Sequence, residues 1–256
     1  LRLLEYFSVN EPAVGLSVLT RKTGMDKATV YRLLTELREM GFVEQSAKTK
    51  KFRLGPSVIR LANVREQTFP IRRAAQERLA ILVAAVRETA HVSQVQGMCL
   101  SPVSLLHSQH HQTHARIDPS QMLPLHATAS GCAVLAFSND DFLEQVVAAH
   151  LPSLTPATRT EASSLREKVQ TARAFGFGFS HGEFEAETSS IAAPYFGADG
   201  ACLGAISVVF PSVRTTDDLR NAIRHHLKPA SMALTTACGG ALPARLLRAW
   251  SSENRV

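Results

Sequence analysis

Cysteine is scarce and scattered in this chain. Its 256 residues hold four, Cys99, Cys132, Cys202 and Cys238, with no CxxC pair. That excludes a zinc knuckle and a disulfide-stapled scaffold, and it suits a reduced, cytoplasmic protein. Long apolar runs are also missing. The longest, Ala201 to Phe210, is too short to span a bilayer. No charged-then-apolar leader opens the chain, which carries Arg2 and Glu5 in its first turns. The chain does not begin with Met, so a few native residues are expected before Leu1. Several enzyme signatures are absent too. Ser130 follows Ala129 and does not sit in a GxSxG elbow. There is no P-loop, and Gly176-Phe177-Gly178 lacks the third glycine of a dinucleotide fingerprint. Glu183, Glu185 and Glu187 alternate, and they read as the solvated edge of a strand rather than a catalytic carboxylate pair.

Negative charge is short in one region only. Residues 1–78 hold 15 Lys and Arg against 8 Asp and Glu, whereas residues 79–256 hold 13 against 14. The whole net charge of +6 therefore rests on the first third. A basic segment joined to a neutral one points to a polyanionic partner for the basic part. The remaining composition, 45% hydrophobic with mean hydropathy near zero, is that of a globular chain long enough for two domains.

The basic third has a readable order. Leu1, Leu3, Leu4 and Phe7 recur at helical spacing and predict a first helix. Ser17 to Thr23 predicts a second, and Gly24 a tight turn. Asp26 is placed to cap a third helix, Lys27 to Met40. Val30, Leu33, Leu34, Leu37 and Met40 are its expected core face, and Lys27, Thr29, Tyr31, Arg32, Glu36 and Arg38 its outer face. Phe42–Glu44 and Phe52–Leu54 read as two strands around a basic tip that holds Lys48 and Lys50. This is the pattern of a winged helix-turn-helix over residues 1–55, which puts the N-terminal half of the third helix into a DNA major groove. Lys27, Ala28, Thr29, Tyr31 and Arg32 would meet the groove there, while Lys48 and Lys50 neutralise phosphates. A domain used only for protein contacts fits the lysine-rich wing less well.

Residues 56–69 predict a basic connecting helix, and Pro70 marks a new start. From 70 to 256 the pattern mixes helices (71–90, Ala129–Phe137, Asp140–His150, Glu161–Phe175, Thr216–Cys238) with strands (His91–Gln96, Val103–Ser108, Ile191–Phe196, Ala201–Phe210). The last two strands are joined by a hairpin at Gly197–Gly200. The fold class expected for the chain is α+β. The tail Gly239–Val256 carries no clear signal.

The words "LLEYFS", "LTRKTGMDKATVYRLLTELREMGFVE" and "FRLG" resemble the DNA-binding domain of the isocitrate lyase regulator (IclR) family of bacterial transcription regulators. "LPLHATASGCAVLAF", "GFGFSHGEFEAETSSIAAPYFGADG" and "LGAISVVFP" resemble that family's GAF-like effector domain. The resemblance implies a linker helix at 56–69 and an effector-binding domain at 70–256. It implies double-stranded operator DNA as partner, assembly into a dimer or a dimer of dimers, no cofactor, and control by a small organic or aromatic acid. It also implies a pocket built from Gly131, Cys132, Ser180, Ser190, Ser207 and Val209.

The residues allow that pocket independently. Backbone N–H groups at Ser130-Gly131, ahead of an apolar helix, can face an anion. Ser190 and Ser207 are hydroxyls on apolar strands, satisfied either by a ligand or by a neighbouring carbonyl. Four positions depart from the family pattern: Cys132 stands for the usual Lys, Ser190 for a frequent Cys, Glu187 for a usual Gly, and Val209 for a sometimes polar residue. They point to a ligand larger and less polar than a short dicarboxylate.

His107, His110, His111 and His114 fall at helical metal-binding spacing, but the lead-in reads as a strand. A polar loop is expected there, without metal. His225 and His226 are adjacent, which is poor chelation geometry. The alternatives left open are a redox- or metal-responsive DNA-binding sensor, with Cys132 or Cys99 as the switch, and an enzyme carrying a DNA-binding module.

Overall fold

The computed structural model describes residues 1–68, 71–111, 115 and 117–252. The chain falls into two compact units, Leu1–Pro70 and Ile71–Val256.

In the first unit, a short 3-10 turn, Arg2–Tyr6, stands where a full first helix is expected. Helices α1 (Leu16–Thr23) and α2 (Lys27–Glu39) follow, separated by Gly24 at φ 69°. Asp26 caps α2 by accepting the Thr29 N–H at 2.9 Å. Strands β1 (Val43–Gln45) and β2 (Phe52–Leu54) pair antiparallel. Helix α3 (Pro56–Thr68) ends the unit. Val14, Leu19, Val30, Leu34, Val43 and Phe52 form its core. Two residues expected inside are not. Leu33 is 37% exposed and Met40 68%. From α2, Val30 and Leu34, one turn apart, enter the core and Leu37 packs against it, while Leu33 lies about 100° round the helix and Met40 is the residue that ends it.

The second unit opens with α4 (Ile71–Val86), shorter than expected because β3 (Thr89–Gln96) starts two residues before His91. β4 (Cys99–Leu106) and the two-residue β5 (Leu123–Pro124) follow. Next come α5 (Ala129–Phe137), α6 (Asp140–Ala148) and α7 (Ala162–Phe175). Then come β6 (Gly178–His181), β7 (Thr188–Phe196), β8 (Cys202–Pro211), α8 (Asp217–Ala237) and α9 (Ala244–Ser252). The strands form one antiparallel sheet in the order β5-β4-β3-β8-β7-β6. Helices α4 and α8 pack on each other and on the sheet, and α5 packs on β6, β7 and β8 with α7 against it.

β6, β5 and α9 carry no signal in the sequence pattern. α9 is held by the rest of the unit: Trp250 stacks on Phe177 at 5.6 Å and donates its indole N–H to the Gly176 carbonyl at 3.0 Å. Two glycines set the close packing around α5. A Cβ at Gly131 would lie 2.2 Å from the Leu125 carbonyl, and one at Gly178 2.1 Å from the Ala129 carbonyl. Only glycine lets the backbones of α5, β6 and the 125 loop meet this closely.

Candidate DNA interface and ligand cavities

The outer half of α2 is a cationic surface. Lys27, Ala28, Tyr31 and Arg32 are exposed and Thr29 is half-buried. The wing tip exposes Lys48 and Lys50. It is a tight turn: Ser46 N–H donates to the Lys51 carbonyl and Lys50 N–H to the Ser46 carbonyl, both at 2.9 Å. Lys50 closes it in the left-handed region at φ 57°, a conformation unusual for a side-chain-bearing residue. The Gln45 amide donates to the Lys50 carbonyl at 2.9 Å and steadies the tip. Lys27, Arg32, Lys48 and Lys50 have no carboxylate partner among the described residues. Their neighbours Lys22 and Arg53 are neutralised, by Glu11 at 2.6 Å and Glu44 at 2.8 Å. α2 and the wing tip thus present several cations without a carboxylate partner among the described residues.

Two cavities of the second unit adjoin; a third, about 610 Å³ and beside Phe137, Phe142 and Arg245, shares none of their lining residues. The smaller of the adjoining pair, about 40 Å³, is lined by His91, Ser130, Ser180, Ser190, Ser207 and Val209, among others. Its polar groups sit in register: His91 pairs with Ser207 across β3 and β8, and Ser190 with both Val209 and Ser180. Ser207 donates to the Ile191 carbonyl at 3.2 Å, and Ser180 to the Ala127 carbonyl at 3.1 Å. Both hydroxyls keep lone pairs for a ligand. His91 Nδ1 and Ser130 Oγ are buried without a hydrogen-bond partner among the described residues. Burial pushes the His91 imidazole down to about 4, so the ring is neutral at pH 7.

The larger cavity, about 480 Å³, is lined by Cys132, Phe179, Ile191, Phe210 and Thr215 together with charged groups. Lys168 and Glu183 meet there at 2.6 Å, with side chains 6% and 9% exposed. Lys168 also donates to the His126 carbonyl at 3.2 Å. The loop bearing Glu183 is tied down by Thr155, which donates to the Gly182 carbonyl, and by Thr158, which donates to that of Glu183, each at 2.6 Å. Ser180 and Ser190 line both cavities and form the wall between them.

The predicted pocket residues therefore divide. Ser207 and Val209 line the small cavity, Cys132 the large one, and Ser180 and Ser190 both. Gly131 lines neither. Its N–H is taken by the Thr128 side chain at 3.0 Å, and its missing side chain makes room for Leu125. Glu183, Glu185 and Glu187 do not alternate on a strand. They occupy the turn between β6 and β7, and Glu183 is buried because Lys168 neutralises it. The pattern did carry a signal for that pair: Leu165, Lys168, Val169 and Ala172 share the buried stripe of α7, so Lys168 needed a counter-charge. Ser130 was marked only for its backbone N–H, and its hydroxyl and His91 went unmarked because a single histidine or hydroxyl in an apolar segment has no spacing to betray it.

His107, His110 and His111 follow β4 in an irregular segment, and His114 lies outside the described residues. No group of three or more His, Cys, Asp or Glu that could hold a metal occurs among the described residues. Burial pushes the Cys132 thiol up, which suppresses the thiolate that redox switching requires. Among the described residues no helix is long and apolar enough to cross a membrane.

A winged helix-turn-helix followed by a mixed sheet-and-helix domain defines the class of transcription regulators. The model of the IclR helix-turn-helix domain matches residues 1–47, and that of the bacterial transcriptional regulator IclR C-terminal domain matches residues 66–236. The chain belongs to the IclR family. A putative IclR transcriptional regulator from Silicibacter sp. TM1040 is 43% identical, with a TM-score of 0.89 over 95% of this chain and 96% of that one. The transcriptional repressor IclR of Escherichia coli is 28% identical over 94% of this chain and 88% of its own. An IclR homolog from Microbacterium hydrocarbonoxydans, solved in complex with 4-hydroxybenzoate, is 25% identical, with a TM-score of 0.75 over 92% and 97%.

Proposed function

We propose that this chain is a cytoplasmic, ligand-responsive, non-enzymatic regulator that binds double-stranded operator DNA as a dimer or a dimer of dimers. The carrying observation is the set of cations on α2 and the wing without a carboxylate partner among the described residues, in a chain whose named relatives are transcription regulators. Arg32, Tyr31 and Thr29 read base edges, Ala28 lets the helix approach the groove, and Lys27, Lys48 and Lys50 hold phosphates. Residues 1–55 bind DNA, 56–69 link, and 70–256 bind the effector. Self-association is supported by α3, which exposes Ile59, Leu61 and Val64 to solvent. A dimer sets two recognition helices about 34 Å apart on a near-palindromic site.

The effector, a small organic or aromatic acid, sits across the two adjoining cavities against Cys132, Ser180, Ser190, Ser207 and Val209. The support is the pair of buried atoms on His91 and Ser130 that have no partner among the described residues and that a ligand would satisfy. A coupling of ~1–3 kcal/mol between ligand and DNA is enough to switch occupancy.

The test is selection of genomic DNA on the purified protein, followed by fluorescence anisotropy on the selected sequence. Arg32→Ala is expected to lose roughly 1–3 kcal/mol of specific binding. Selection of no sequence, or equal affinity of wild type and variant, would overturn the reading.

A further inference from the structure

The third cavity shares no lining residue with the other two, and at about 610 Å³ it has the size of a small-molecule pocket. The end of α5, the start of α6, the hairpin between β7 and β8, and the start of α9 shape it. Helix α5 thus carries a cavity at each end. Ser130 and Cys132 in its first turn line the adjoining pair, and Phe137 at its last position lines the third.

Two charges stand over an apolar floor there. Val95, Phe137, Phe142 and Cys202 supply the floor. Burial pushes the Cys202 thiol up to about 12, so it stays neutral. Arg245 and Asp199 are the charged residues of the lining. The Arg245 guanidinium lies 5.3 Å from the Phe137 ring centre and donates through one nitrogen, Nη2, to the Phe137 and Ser138 carbonyls. These contacts hold the group in place and leave its other N–H groups for a ligand oxygen. Asp199 accepts the Ala201 N–H on Oδ1 at 3.0 Å, which leaves Oδ2 for a ligand donor. Neither side chain has an oppositely charged partner among the described residues. The lining is therefore neutral in sum but split in sign. A simple acid would meet Arg245 and leave Asp199 unmatched, a simple amine would do the reverse, and a zwitterion matches both.

We infer that this cavity binds an amino acid with an apolar side chain, its carboxylate on Arg245, its ammonium on Asp199, and its side chain against Val95 and Phe142.

The experiment is fluorine NMR titration of the full chain with 4-fluoro-L-phenylalanine, and in parallel with 3-(4-fluorophenyl)propionate, which lacks the ammonium. The amino acid is expected to bind saturably. Asp199→Asn should weaken it at least about fivefold and leave the affinity for the propionate unchanged. Asn can still accept the Ala201 N–H on an exposed hairpin, so this variant keeps the fold, as an unchanged thermal midpoint without ligand verifies. Arg245→Gln should weaken the amino acid to a similar extent. Arg245 also ties α9 to the end of α5, so where that variant lowers the thermal midpoint, Asp199→Asn decides. No binding of the amino acid, its affinity retained in Asp199→Asn or in a folded Arg245→Gln, or equal weakening of amino acid and propionate by Asp199→Asn would each overturn the proposal. An amino acid held in the adjoining cavities would be indifferent to Asp199→Asn, so the result is separate from the effector and DNA readings.

Discussion

His91 makes the stability of the effector domain depend on mild acid. The ring is 5% exposed on β3, and its Nδ1 has no partner among the described residues. Burial lowers its folded pKa to about 4 from 6.5 in the unfolded chain. Between these values the unfolded state carries a proton that the folded state refuses. The contribution is therefore whole above pH 6.5, and it is lost progressively as pH falls from 6.5 to about 4. One pH unit of separation between the two pKa values is worth about 1.4 kcal/mol, so roughly 3 kcal/mol is lost across the window. Urea unfolding at half-unit pH steps, at fixed protein concentration, measures it for the wild type and for His91→Leu. The leucine variant has its own pH-independent offset, and the carboxylates titrate alike in both, so the difference between the curves isolates His91. That difference should change by about 2–3 kcal/mol from pH 7 to pH 4.5. A flat difference would refute the assignment of a neutral, unpartnered imidazole.

Three further outcomes are expected. Lys168→Met strands Glu183 in the domain interior with only the 3.7 Å contact to Arg159, and should cost about 3 kcal/mol in denaturant unfolding. The Lys168→Met/Glu183→Gln double variant should recover most of it, and a double variant as unstable as the single one would show that the pair is not the cause. Gly131→Ala places a methyl 2.2 Å from the Leu125 carbonyl and should destabilise by about 2–3 kcal/mol, whereas an unchanged unfolding midpoint would mean that α5 can shift freely. Lys48→Ala and Lys50→Ala should weaken binding alike on all DNA sequences, each lowering the slope of log affinity against log salt by about 1. An effect confined to one sequence would move that lysine from phosphate to base.

Much of the molecule was legible in its order of residues. Local chemistry alone fixes the Asp26 cap, the turn at Gly24, the basic wing tip and the α5 span Ala129–Phe137, because each depends on neighbours within a few positions. The charge excess of residues 1–78 located the DNA-facing part, since charge needs no fold to be counted. The ligand cavities were legible only in outline. Ser180, Ser190, Ser207 and Val209 were marked by their words, but which cavity each lines was not. The sheet order decides that, bringing β3 beside β8 and β6 beside β7 across long stretches of chain. The same long-range packing buries Glu183 against Lys168, leaves His91 Nδ1 without a partner among the described residues, and sets the Gly131 backbone against Leu125. Sequence thus determined the binding class and the charged face, which are properties of local pattern. Tertiary structure decided where the cavities lie and what chemistry they hold, because burial and pairing exist only between segments far apart in the chain.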